Sequence, residues 1–227
     1  MRTDVAAVIP AYRAAATVGD VVRGARAHCA RVVVVDDGSD DDTGRRARAA
    51  GAEVHRHPAN AGKGAAIVTG LRALEAAGVG RAVTLDADGQ HLASQIPALL
   101  AASDAVPGAI VVGARRKQGQ TIARLNRFGN WMADRLLRAI AGRTLPDTQS
   151  GFRVYPVAAT LALGVRGARY DFETEVLLRA ARCGMPLLGV PVEVYYPPVA
   201  ERVSHFRPGR DTLRIIWTVL RLLLPSG

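Results

Sequence analysis

From residue 5 onward, short runs of β-branched and other apolar residues alternate with longer stretches rich in alanine, leucine and arginine. VAAVIPAY (5–12), RVVVVDD (31–37), AEVHRH (52–57), RAVTLDAD (81–88) and AIVVGAR (109–115) have the length and residue types of strands. The stretches near 17–30, 43–50, 63–77 and 94–103 between them have the length of helices. Strand, helix, strand, helix in that order predicts an α/β fold, a mainly parallel central sheet covered by helices on both faces. Farther on, 121–141 carries apolar residues at helical spacing, 151–156 and 187–196 read as further strands, and a helix is expected near 172–182. No repeat of about 20 to 50 residues and no low-complexity linker breaks the pattern. Residues 1–196 are therefore expected to form one domain, followed by a loop over 197–210 and a helix over 211–227.

Wound at 100° per residue, DTLRIIWTVLRLLL (211–224) gathers Asp211, Arg214, Thr218 and Arg221 on a narrow stripe and leaves the rest apolar. The run is too short to span a bilayer, and Arg221 interrupts it. Two placements remain open: in a membrane interface, with Trp217 and the arginines at headgroup level, or docked on the domain or a second copy.

The 227 residues carry a formal net charge of +10, which points to an anionic partner or to an alanine and arginine bias, lysine occurring only at Lys63 and Lys117. Aromatic residues make up 5%, and no stacking surface or helix-turn-helix is evident, so a phosphate-bearing ligand or a membrane surface fits better than nucleic acid. Cys29 and Cys183 are isolated, which predicts two buried thiols in a reducing compartment rather than a zinc site or disulfide. MRTDVAAVIP enters the first strand with no signal-peptide core, which predicts a cytoplasmic location.

In open α/β sheets ligands bind beyond the carboxyl ends of the strands. Those positions carry Pro10 and Tyr12, then Asp36, Asp37, Gly38 and Ser39, then Asp86 and Asp88, then Arg115. Asp36-Asp37-Gly38-Ser39-Asp40 reads as a turn, or as carboxylates offered to a ribose or a base N–H. Asn60-Ala61-Gly62-Lys63-Gly64 before a helix places backbone N–H groups and an ammonium where a phosphate fits, although it is not a P-loop. In TLDADGQH (84–91), Asp86 and Asp88 share a face if the strand persists, and Gln90 joins them after the turn at Gly89. Two carboxylates and an amide oxygen are hard ligands suited to Mg²⁺ or Mn²⁺; the alternative is a loop whose acids cap the helix near residue 94.

VIPAY, VVVVDDGSDDDT, NAGKGAA, TLDADGQH, the DTQSGFRVY run at 147–155 and FETEVLLRA at 172–180 together resemble a family 2 glycosyltransferase of the dolichol-phosphate mannosyltransferase type. The resemblance covers residues 5 to about 196 and implies a GT-A fold that uses a nucleotide sugar and a divalent metal. By motif match it assigns Tyr12 and Asp37 to the nucleoside, with Pro10 and Lys63 also on the donor side. Asp86, Asp88 and Gln90 fall to the metal and diphosphate, and Arg115 and Arg127 to the donor or lipid phosphate. Arg202, in ERVSHFRP, resembles a late arginine that closes over the diphosphate. Arg13 and Ala14 stand where the family commonly has Asn and Glu, and Ser204–Pro208 replaces its G-x-S-K element.

Departure of a nucleoside diphosphate builds negative charge, which a metal and arginines stabilise most in the transition state. A hydroxyl acceptor needs a general base, whereas a phosphate monoester, with a second pKa of about 6, is already ionised at neutral pH. Asp147, Asp171 and Glu173 are the acids available as bases; Asp147 could equally serve a turn, and Asp171 and Glu173 an N-cap and first helical turn. The expected activity is metal-dependent inverting transfer of a hexose from a GDP-mannose or UDP-glucose type donor to polyprenyl or dolichyl phosphate at the cytoplasmic membrane face. The alternatives are a hydroxyl acceptor, a nucleotidyltransferase whose glycine-rich loop VIPAYRAAAT lacks, and a nucleotide- or lipid-binding module without turnover.

Overall fold

The computed structural model describes residues 2–115, 147–195 and 208–223. Its first half runs β1 (Arg2–Ala11), α1 (Val18–Arg26), β2 (Cys29–Asp36), α2 (Thr43–Ala49), β3 (Glu53–Arg56), α3 (Lys63–Ala76), β4 (Arg81–Thr84), α4 (Ile96–Ala105) and β5 (Ile110–Arg115). Beyond residue 147 come β6 (Arg153–Pro156), α5 (Val157–Ala162), α6 (Phe172–Arg182), β7 (Leu187–Val192) and α7 (Pro208–Leu223).

Among the described residues these strands form one sheet in the order β3-β2-β1-β4-β6-β5-β7. β6 runs antiparallel to both neighbours, and the other pairings are parallel. This is the mainly parallel, helix-flanked α/β sheet that the hydrophobic pattern predicts.

β1 shows why the apolar runs are continuous rather than alternating. Val5, Ala7 and Ile9 face α1 and α4 with Val32 and Val34, while Ala6 and Val8 face α3 with Val33 and Val35. Residues 5–9 are each no more than 1% exposed. α3 presses closely on this strand: a Cβ at Gly70 would lie 2.4 Å from Val8 Cγ1, so glycine sets the helix–sheet distance.

Among the boundaries that differ from expectation, those of α1, β2 and β4 have local reasons. α1 ends at Arg26 and β2 already begins at Cys29, the chain turning through Ala27 and His28. β4 ends at Thr84 instead of reaching residue 88, because after the Leu85 amide bonds to Val8 O, the Asp86 amide donates to His91 Nδ1 and leaves the sheet. α5 was not foreseen, and the expected helix over 121–141 lies outside the described residues.

Cys29 is buried and its thiol is pushed up to about 11 by burial, but Cys183 is exposed, which corrects the expectation of two buried thiols. The folded chain is expected to take up one equivalent of a maleimide at Cys183, with Cys29 reacting only after denaturation, as read by mass spectrometry.

α7 is docked on α6. Thr218 Oγ1 donates to Asp171 Oδ2 at 3.3 Å, Arg221 donates to Glu175 Oε2 at 3.1 Å, and Val219 is buried between them. Ile216 and Trp217 stay exposed, at 47% and 66%. Among the described residues no helix is long and apolar enough to cross a membrane.

Candidate active site

The carboxyl ends of β1, β2, β4 and β5 place Tyr12, Asp36 and Asp37, Asp86 and Asp88, and Arg115 at one edge of the sheet. Pro10 is buried within β1 and Tyr12 is half-buried just beyond it. Arg13, at φ 50°, donates its amide to Ser39 Oγ; its guanidinium meets both oxygens of Asp40 at 2.7 Å and lies over the Tyr12 ring. The residue that replaces the family's Asn therefore ties the ends of β1 and β2 together.

The two acids after β2 face inward. Asp36 accepts from the Ser39 amide, closing the turn at Gly38. Asp37, 3% exposed, accepts from the amides of Ala61 (2.9 Å) and Gly62 (2.8 Å) and pairs with His57 Nδ1 at 2.7 Å. Its carboxylate satisfies the buried amides of the loop that leads into α3 and holds that loop against the end of β2.

Lys63 opens α3. Its ammonium lies 2.6 Å from Asp86 Oδ1 and 2.6 Å from Glu173 Oε1, and it faces the Tyr170 ring. The nearby Ala65 amide donates to Ala168 O. Lys63, Asp86 and Glu173 thus form an internal ion-pair cluster at the start of α3. Burial opposes the Lys63 charge, but the two carboxylates outweigh it and raise the pKa. Burial also pushes Asp86 up, yet Lys63 holds it below the usual carboxylate range, whereas Glu173, deeper, ends raised. The Glu173 contact has charge compensation without hydrogen-bond alignment.

Arg153, fully buried, organises the floor of the cluster. It donates to the carbonyl oxygens of Thr148, Ser150 and Glu173 and to the Tyr155 hydroxyl. Gly151 packs directly on the cluster: a Cβ there would lie 2.7 Å from both Asp86 Oδ1 and Lys63 Nζ. Gly151→Ala is expected to cost about 1–3 kcal/mol in denaturant unfolding, the usual range for overpacking, and to depress transfer with it.

Asp88 sits in the loop with one oxygen accepting from the Gln90 amide at 3.0 Å. Burial raises its pKa, and the Asp86 charge raises it further. His91 stacks on Phe152 and accepts the Asp86 amide on Nδ1, so its proton is on Nε2; burial lowers its pKa. Asp86 Oδ2 faces His91 Nδ1 at 4.0 Å, beyond hydrogen-bond reach. Among the described residues no group of three or more His, Cys, Asp or Glu could hold a metal alone. Two mutually repelling carboxylates still suit Mg²⁺ or Mn²⁺, which bind through one or two carboxylates and complete their shell with phosphate oxygens and water. The donor set fits such an ion, with Gln90 in the same loop.

Arg115 ends β5 and grips Asp147 through Nε (2.6 Å) and Nη2 (2.9 Å). Burial pushes the Asp147 carboxyl up, but the guanidinium outweighs it and holds it below the usual range. Asp171 is positioned as the N-cap of α6 yet makes no capping hydrogen bond; it accepts from the Arg169 amide and from Thr218 instead. Arg127 and Arg202 lie outside the described residues.

The family model for Glycosyl transferase family 2 matches residues 6–163. The chain belongs to glycosyl transferase family 2. It is a nucleotide-sugar glycosyltransferase. It is 31% identical to the undecaprenyl-phosphate mannosyltransferase of Micrococcus luteus over 173 residues, covering 71% of this chain and 70% of that one. It is 27% identical to the UDP-N-acetylglucosamine–dolichyl-phosphate N-acetylglucosaminyltransferase of Methanococcus voltae over 212 residues, 83% of this chain and 84% of that one. The fold matches glucosyl-3-phosphoglycerate synthase from Mycobacterium tuberculosis, solved with Mn²⁺, UDP and glucosyl-3-phosphoglycerate. The TM-score is 0.74 at 23% identity, over 100% of this chain and 82% of that one. The sheet is accordingly that of a GT-A glycosyltransferase.

Within this family 2 glycosyltransferase, sequence reading missed Arg153, Gly151, His57 and His91, and gave Glu173 only a base or first-turn role. Arg153 carried a usable signal, a charged residue between Phe152 and Val154 in an apolar strand, where a buried cation demands partners.

Proposed function

We propose that this chain is a metal-dependent, inverting hexosyltransferase that moves a sugar from a nucleoside diphosphate donor of the GDP-mannose or UDP-glucose type to polyprenyl phosphate. The observation that carries this reading is the state of the acids. Asp147 is clamped by Arg115, Glu173 is buried against Lys63, and Asp171 is engaged by Arg169 and Thr218. Among the described residues none of the three is poised to take a proton from a hydroxyl. An acceptor that arrives ionised needs no such base.

A phosphate oxygen of the acceptor attacks the anomeric carbon while the bond to the donor diphosphate breaks, and the diphosphate leaves with the electron pair. Asp86 and Asp88 would hold the Mg²⁺ or Mn²⁺, which when bound supplies positive charge to the departing diphosphate. Lys63 fixes the Asp86 carboxylate, Arg115 brings a guanidinium to the same edge, and Tyr12 and Pro10 border the nucleoside end. Arg127 and Arg202 are proposed for the phosphates. Residues 1–196 serve as the catalytic body and those up to 207 as the acceptor side, and α7, which begins at Pro208 rather than at 211, rests its exposed Ile216 and Trp217 on the cytoplasmic membrane face. The names of the relatives that act on undecaprenyl and dolichyl phosphate support the acceptor class.

The test is a product assay with GDP-mannose, UDP-glucose and related donors, Mn²⁺ or Mg²⁺, and either polyprenyl phosphate or the free polyprenol. Nucleoside diphosphate release and a glycolipid are expected with the phosphate alone. Equal transfer to the alcohol would replace the phosphate acceptor by a hydroxyl. Nucleotide binding without product from any donor would leave a binding module.

A further inference from the structure

Among the described residues, α7 makes its side-chain hydrogen bonds to the body at Asp171 and Glu175, at the start of α6. Asp171 and Glu175 lie on one face of its first turn at helical spacing, and Glu173 lies between them facing Lys63. The Glu175 carboxylate is fully buried and accepts from the Arg166 and Gly167 amides, Arg179 Nε and Arg221 Nη2. Of these donors Arg179 lies on α6, Arg166 and Gly167 on the loop that precedes it, and Arg221 on α7.

The 166–168 segment is in turn locked to the start of α3. Ala168 O accepts the Ala65 amide at 2.9 Å, and a Cβ at Gly64 would lie 2.5 Å from Phe172 Cβ. The starts of α3 and α6 are therefore one packed block, with the Lys63–Glu173 pair spanning it and Asp86 attached. Among the described side chains of α7, Ile216 and Trp217 are exposed, while Thr218 and Arg221 make the named contacts beside the buried Val219.

Resting on the function proposed above, we propose that Thr218 and Arg221 are positioning residues for the transfer site. By gripping the first turn of α6 they hold Glu173 in place, and through Lys63 they hold the Asp86 carboxylate where metal and diphosphate bind.

Calorimetric titration of the full chain with UDP and GDP, once with Mn²⁺ and once with EDTA, separates positioning from general damage. In Arg221→Gln the stoichiometry and the EDTA affinity are expected to match wild type. The Mn²⁺-supported affinity falls about tenfold, the size common when a group that orients a metal ligand is lost. Arg221→Lys restores most of it, and Thr218→Val shifts it the same way by less. A Mn²⁺-supported affinity within about twofold of wild type overturns the proposal, as does an equal loss in both media or a loss of stoichiometry. A wild-type chain that binds neither nucleotide instead overturns the GDP- or UDP-linked donor proposed above.

Discussion

Lys63→Met is expected to lower the unfolding free energy by about 3–5 kcal/mol in urea titration, the range for removing one member of a buried ion pair. The ammonium stands 2.6 Å from a carboxylate oxygen on either side, and Glu173 is only 2% exposed. Methionine fills the volume but leaves Asp86 and Glu173 uncompensated next to Asp88. Protonation of Glu173, whose pKa is already raised, relieves part of the cost. For that reason the double variant Lys63→Met, Glu173→Gln is expected to recover part of the loss, since it removes the more deeply buried of the two stranded carboxylates and leaves Asp86. A single variant within about 1 kcal/mol of wild type would mean that water reaches the cluster and screens it.

That cluster marks where sequence reading stops. The sheet was legible because both faces of β1 and β2 are covered, so Val5–Ile9 and Val32–Val35 appear as unbroken apolar runs. The reversed direction of β6 was not, since a four-residue strand looks the same in either orientation. The end of β4 was set by a side chain, His91 Nδ1, that intercepts one amide, and residue periodicity carries no sign of that.

In the candidate site, TLDADGQH and Arg115 could be placed at the right edge from strand ends alone. What each charge touches could not. The loop between Asp37 and Lys63 folds back so that its amides bond to Asp37, and Glu173 and Asp86 pair with Lys63. Spacing rules see neighbours along a helix or strand. The partners here arrive from distant segments and are fixed by burial, which forces every charge to find one.

Asp88→Asn tests the part of the site that sequence and geometry reach together. Transfer is expected to fall by at least about a hundredfold, the scale for losing a group that stabilises developing charge. The fold should survive: Asp88 lies in a loop, its contact is the Gln90 amide, and the asparagine carbonyl can accept that same bond. Because Asp86 and Asp88 repel each other, deleting one charge also removes a destabilising interaction, so the melting temperature should stay level or rise. Mn²⁺-supported nucleotide binding should weaken while binding in EDTA is unchanged. A variant that keeps transfer within about tenfold of wild type would remove Asp88 from the metal and diphosphate site. One that loses transfer together with its melting transition would show the loop acid to be a folding determinant instead.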